Sequence, residues 1–220
     1  MMISDRLKSI ASMIDPVDTL VDIGCDHAYL PIYLVENNIV KRVYAIDNKI
    51  GPINNATNNI KNSGLEANII PLLSDGLKSF NETNYDAINI SGMGSETIID
   101  ILSIDILNPN ATLILEPQKN ANLLRKFLMD NNYMIVDELF IKDKGKYYPI
   151  IKAVKTNTKV HYSDIELNFG PVILKKNSSI FNEYIDKQIK KYENSLKSSP
   201  NNEELIKRIN ICKEVKTYEA

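Results

Sequence analysis

The chain has no long apolar run: nowhere do 18 or more apolar residues follow one another, so no membrane-spanning helix is expected. Asp5, Arg6 and Lys8 precede the short apolar stretch 10–14, unlike a secretion signal, and a soluble, cytoplasmic protein is expected. Cysteine is scarce. Cys25 and Cys212 stand near opposite ends with no Cys-x-x-Cys or Cys/His cluster, which argues against a disulfide framework and a structural metal. Net charge is nearly missing as well, at -2, while 44% hydrophobic and 25% charged residues exclude wholesale disorder. Near-neutrality leaves nucleic acid open as a partner, because binding depends on where Lys and Arg sit rather than on their sum.

A length of 220 residues suits one α/β domain plus a small appendage. Ile3, Leu7, Ile10, Met13 and Ile14 have helical spacing, with Ser4 as N-cap, so a leading helix is predicted. Strands are predicted at 19–23, 42–47, 68–75, 85–91 and 111–116, and helices from about 29, then at 52–63, 96–102 and 120–131. That alternation implies a parallel sheet with helices on both faces. Two more strands, 134–142 and 147–154, flank Lys144-Gly145-Lys146 as a closing antiparallel hairpin. After Thr156 the character changes to a polar link, then Gly170-Pro171, then two polar helices at about 178–197 and 203–217. Their apolar stripes (Phe181, Ile185, Gln188, Tyr192 and Leu196; Leu205, Ile209, Cys212 and Lys216) predict an antiparallel hairpin with coiled-coil spacing. The expected units are 1–156 and 157–220.

The turn Asp22-Ile-Gly-Cys-Asp-His lies where the first parallel strand ends, the place at which open α/β sheets bind ligands. A dinucleotide would need Gly-x-Gly-x-x-Gly, yet Asp26 and Tyr29 stand where the second and third glycines belong. Carboxylates here suit a ligand with an amino group and no phosphate, such as S-adenosylmethionine. Asp47, ending the second strand, can accept from both ribose hydroxyls, and Asp75 from an adenine amino group, with Gly76 letting the chain pass close to the ring. Any one of these acids alone is better read as a turn or cap residue; three on successive strand ends are not. Gly92, Met93 and Gly94 can bring backbone groups to the methyl donor and a planar base, or make a simple strand-to-helix turn. Glu116-Pro117-Gln118, at the end of the fifth strand, can form another wall of the same pocket, the Pro stiffening the turn and the amide pairing with a base edge. His27 is a site candidate, His161 a surface residue, and Cys25 an apolar filler without a partnering base.

Arg6-Leu7, the string Asp22-Ile-Gly-Cys-Asp-His-Ala-Tyr-Leu-Pro31, Asp75-Gly76, Gly92-Met93-Gly94 and Gly145-Lys146-x-Tyr148 together resemble one family. It is that of the bacterial tRNA adenine-N1 methyltransferases acting at position 22. The resemblance runs over nearly the whole chain, Gly170-Pro171 and the helical hairpin included. It implies a class I Rossmann-like methyltransferase sheet with a C-terminal coiled-coil-like hairpin, S-adenosylmethionine as methyl donor and the D-arm of tRNA as substrate. Its implied cofactor residues are Asp22, Gly24, His27, Asp47, Asp75, Gly76, Gly92 and Met93, and Tyr29, Gly94, Pro117 and Gln118 face the substrate. Ser95 and Glu116 depart from the family pattern: the first is expected to restrict a backbone turn, the second to put charge near the base.

Adenine N1 carries a free lone pair, so transfer needs positioning more than a strong base, and the product base is cationic. Asp26 is the expected catalytic stabiliser of that charge, and Arg6 orients Asp26 or binds a phosphate; the alternative is a structural Arg6–Asp26 ion pair. From Asn157 onward there are 11 Lys and Arg against 9 Asp and Glu, and Lys175, Lys176, Lys187, Lys190, Lys191 and Lys197 suggest a basic face for tRNA, or else a solvated helix surface. A monomer is expected. A non-catalytic binding module and a methyltransferase for another acceptor remain the competing readings, since the fold does not determine the acceptor.

Overall fold

Two apolar faces per strand and one per helix leave a single economical arrangement, a sheet covered on both sides. The computed structural model describes residues 3–104 and 108–218 and has this arrangement; the outermost residues of both expected units therefore lie outside the described residues. The order is α1 (Asp5–Ser12), β1 (Val17–Ile23), α2 (Tyr29–Glu36), β2 (Val40–Asp47), α3 (Ile50–Asn62), β3 (Ile69–Leu73), β4 (Ala87–Met93), α4 (Ser95–Leu102), β5 (Thr112–Pro117), α5 (Ala121–Asp130), β6 (Tyr133–Asp143) and β7 (Lys146–Lys155). Then come α6 (Asp164–Phe169), α7 (Pro171–Lys176), α8 (Ser179–Ser198) and α9 (Glu203–Lys216).

The seven strands are ordered β3-β2-β1-β4-β5-β7-β6. β1 to β5 pair in parallel, and β7 runs antiparallel between β5 and β6. Strand order reverses between β1 and β4, which opens a crevice at their carboxyl ends. Side chains alternate between two cores. Val21, Ile88, Leu113 and Leu115 join α4 and α5 through Ile98, Leu102, Leu124 and Leu128. Leu20, Val43, Ala45 and Ile114 point the other way, to Ile10, Ile32, Leu34 and Ile60 of α1 to α3. Ser4 caps α1 as expected, its Oγ accepting from Leu7 N.

The predicted polar link differs most. Residues 164–176 are two short helices, α6 and α7, and Ser163 with Glu166 forms a capping box at the start of α6. They are held by a buried ion pair. Arg125 of α5 donates its Nε to Glu138 Oε1 of β6 at 2.8 Å and its Nη1 to the carbonyls of Leu167 and Asn168, where α6 ends. Glu138 Oε2 accepts from the amides of Val172 and Ile173, where α7 begins. Between them Gly170 has φ 97, and a Cβ there would stand 2.4 Å from Glu138 Oε2, so only glycine fits.

The stripes of α8 and α9 meet, burying Phe181, Ile185 and Cys212 in one cluster, with Ile209 buried as well. Val215 rather than Lys216 completes the seam, and Lys216 instead pairs with Asp186 across it. Phe140 of β6 and Phe169 of α6 pack on the same cluster, so the hairpin is joined to the sheet edge through apolar contacts.

Candidate active site

Residues 22–28 turn sharply because three of them adopt left-handed backbone: Gly24 (φ 82), Asp26 (φ 50) and Ala28 (φ 56). Two are not glycine, and such strain persists only where surrounding bonds over-determine it. Those bonds are present. Gly24 N and Cys25 N both donate to Ile46 O, Asp26 N donates to Asp47 Oδ2, and Asn59 Nδ2 donates to His27 O.

Asp47 Oδ1 accepts from Lys49 N, so the carboxylate is fixed at the end of β2. Gly24, Asp47, Asp75, Gly76 and Met93 line one cavity of about 220 Å³, with Thr97 and Ile101 closing it from α4. Met93 leans over Gly24: a Cβ on that glycine would lie 2.4 Å from Met93 Cε. Asp75 follows β3 rather than ending it, is exposed, and pairs with Lys78.

Asp22 does not line the cavity. It is buried behind the turn, where its Oδ1 accepts from Asn89 Nδ2 at 2.6 Å. Burial pushes its pKa from 3.8 up to about 6, opposed by the Asn89 hydrogen bond and assisted by the charge on Asp47. Because the folded-state value lies above the ordinary one, this proton's contribution to stability is fully present below pH 3.8 and is lost as pH rises through about 6. A cationic ligand bound over the turn favours the ionised form, so its affinity should increase from pH 5 to pH 7. Calorimetric titration with S-adenosylmethionine checks this, and Asp22→Asn should flatten the profile; an equally steep profile in that variant would contradict the assignment.

Arg6 corrects an expectation. Its Nη1 lies 2.9 Å from Glu116 Oε2, not against Asp26, and its guanidinium stands 5.7 Å from the Tyr148 ring centroid. Asp26 is exposed, and its Oδ1 lies 3.6 Å from His27 Nε2. Glu116 is fully buried, accepts also from Gly92 N at 2.8 Å, and leaves Oε1 without a hydrogen-bond partner among the described residues. Burial raises its pKa against the pull of Arg6 and Gly92 N–H. Gln118 closes this group: its Nε2 and Arg6 Nη1 would each lie 3.8 Å from a Cβ on Gly92. Sequence reasoning placed Glu116 at the end of the fifth strand, as a wall of the pocket and as added charge near the base, but not as the partner of Arg6 and Gly92 N.

Ser95 does not restrict the turn. It is the first residue of α4 with Gly94 as N-cap, and its Oγ donates to Lys119 O, tying this turn to the next. Tyr29 is exposed and stacks on His27 with centroids 5.2 Å apart, on the outer rim. Pro117 is buried. Lys187, Lys190 and Lys191 lie away on α8, and Lys187 is engaged by Glu183 and the Tyr147 hydroxyl rather than free for a phosphate. Burial raises the Cys25 thiol pKa, as suits a filler.

Comparison with known proteins agrees with this geometry. Residues 3–151 match a family model described as a methyltransferase domain. The tRNA (adenine(22)-N(1))-methyltransferase of Bacillus subtilis is 31% identical over 97% of this chain and 96% of its own. A Streptococcus pneumoniae protein solved with S-adenosyl-L-methionine superposes with a TM-score of 0.89 at 34% identity, covering 97% of this chain and 99% of that one. TrmK of M. capricolum, solved with S-adenosyl-homocysteine, gives 0.84 at 32%, covering 99% and 98%. The crevice at the strand reversal, the acid-lined cavity and a likeness that continues through the helical hairpin have one common meaning: the chain belongs to the tRNA (adenine(22)-N(1))-methyltransferase family, TrmK.

Proposed function

We propose that the protein transfers a methyl group from S-adenosylmethionine to N1 of adenine 22 in the D-arm of tRNA, as a monomer in the cytoplasm. The observation that carries this is the extent of the likeness to the B. subtilis enzyme, 97% of the chain with the hairpin included, because a shared core alone would leave the acceptor open. Among the described residues no helix is long and apolar enough to cross a membrane, and no cluster of three metal-ligating side chains occurs.

The residues fit the donor. The cavity of about 220 Å³ is smaller than the roughly 300–1,000 Å³ of whole small-molecule sites, so it suits the nucleoside end, with the charged amino-acid end lying along the 22–28 turn. Asp47 suits the ribose hydroxyls, Asp75 and Gly76 the adenine, and the buried Asp22 supplies negative potential under the ammonium. The bound sulfonium supplies an electrophilic methyl group. The chain's own task is to hold adenine N1 in line and exclude water. Glu116, fixed by Arg6 and Gly92 N–H, offers its free Oε1 to the adenine amino group and its charge to the cationic product; Asp26 contributes from the rim. Arg6 is thus a positioning residue, working through Glu116.

Methyl-labelled donor and unmodified tRNA, followed by nucleoside mapping, test the reading: label at N1 of adenine 22 is expected, and label elsewhere or none in tRNA would refute it. Arg6→Ala should lower kcat about tenfold, the equivalent of one charge-assisted hydrogen bond, with donor affinity unchanged. Asp26→Asn in the same assay separates the two carboxylates. If Arg6→Ala leaves kcat intact, Glu116 does not act on the base.

A further inference from the structure

A groove of about 650 Å³ lies between the start of α5 and the β6–β7 strands on one side and α8 and α9 on the other, and the chemistry described so far makes no use of it. We propose that this groove binds the unpaired nucleotides of the RNA substrate next to the methylated adenosine, an assignment that rests on the tRNA methyltransferase reading.

Adenine N1 lies on the Watson–Crick edge, so the target base must be unpaired and drawn out of its stack to react. Its neighbours then lose stacking partners, and a protein that supplies rings in their place lowers the cost of extrusion. The groove has such rings. Tyr184, Gln188 and Tyr192 follow each other four residues apart, placing one helix face of α8 toward the groove. Tyr147 faces them from β7 and is held in place: its hydroxyl accepts from Lys187 Nζ, and its ring stacks on Phe140 at 6.0 Å. Lys187, expected at a phosphate, here fixes a stacking platform instead.

The charge is complementary. Lys119, Lys207 and Arg208 line the groove, and Glu204 is the one acid among the described residues that line it. Arg208 pairs with Glu204 and lies 5.8 Å from the Tyr192 centroid, while Lys119 and Lys207 form no ion pair among the described residues. Continuity with the active site comes through Gln118, which lines the groove and also reaches the Gly92 turn, its own N donating to Met93 O. The groove and the Gly92 turn therefore share Gln118 as a wall, so a base in the groove lies beside one at Gly92. The volume accommodates nucleotides rather than a duplex.

The experiment uses the full chain and an unmodified tRNA transcript. Tyr192→Ala should raise KM for tRNA roughly tenfold, the loss of one stacked base, with donor affinity unchanged. Lys207→Ala, on an exposed helix position where folding is not at risk, should reduce the slope of log affinity against log salt by about 0.7, one single-strand phosphate. Lys61→Ala, exposed on α3 and outside the groove, should do neither. An active wild type whose Tyr192 and Lys207 variants keep KM within twofold and the salt slope unaltered overturns the groove, as does an equal response from Lys61→Ala. A wild type that methylates no tRNA overturns the functional reading itself, and the groove with it.

Discussion

Replacing Asp47 with alanine is expected to weaken S-adenosylmethionine binding by roughly 100-fold or more. In the proposed donor site Asp47 accepts from both ribose hydroxyls; each such charge-assisted hydrogen bond is worth about 1.5–3 kcal/mol, and two would be lost together. The variant also releases the turn, because Asp47 Oδ2 accepts from Asp26 N and Oδ1 from Lys49 N. Two of the three left-handed residues in that turn lack the freedom of glycine, so the released segment relaxes away from the binding shape. Titration calorimetry measures the affinity, and circular dichroism checks that the fold is kept. Asp47→Asn should fall between, retaining one acceptor at the same place. A dissociation constant for Asp47→Ala within threefold of wild type would remove Asp47 from the ribose.

The second large effect lies far from the donor. Glu138→Ala should destabilise the protein by about 3–5 kcal/mol, because Arg125 is left charged and buried without its partner. For a chain of this size that corresponds to a fall in Tm of roughly 6–20 °C. Converting both residues to apolar ones should not rescue it fully, unlike an isolated buried pair. The carbonyls of Leu167 and Asn168 and the amides of Val172 and Ile173 would still lack partners. Thermal denaturation gives the magnitude, and limited proteolysis between α6 and α7 should report the loosened segment. A Tm within about 2 °C of wild type would show the pair to be dispensable.

This pair also bears on where the chain divides. A boundary after Thr156 would strip α6 and α7 from Arg125 and Glu138 and expose a charged pair that the sheet region cannot cover alone. We propose Asn177, the C-cap of α7, as the better limit of the catalytic unit.

The parallel strands β1, β2, β4 and β5 were legible because each carries an apolar run buried on both faces, and the acids at or just beyond strand ends were legible because a ligand site at a strand terminus needs no long-range information. Asp47 and Asp75 illustrate this: both line one cavity. Arg6 was misdirected because its true partner, Glu116, is 110 residues away, and nothing local distinguishes it from the nearer acid Asp26. The helices α6 and α7 were missed because each spans only 6 residues, too few for periodicity to show. Ser163 followed by Glu166 was nonetheless a readable start signal. Arg125 and Glu138 carry no local signal of burial, and only their enclosure by 167–173 makes them core.

The same enclosure has a consequence for how a target is chosen. A hairpin pinned at its root by a buried charge pair, a glycine that admits no side chain and an aromatic cluster cannot swing freely on a tether. With the RNA seated in the groove as proposed, it works instead as a gauge: one end of the RNA is held against it, and the adenosine lying at the right span reaches the pocket. Selection of a single position then becomes a matter of length, and lengthening the link between α7 and α8 should blur which nucleotide is modified before it abolishes modification.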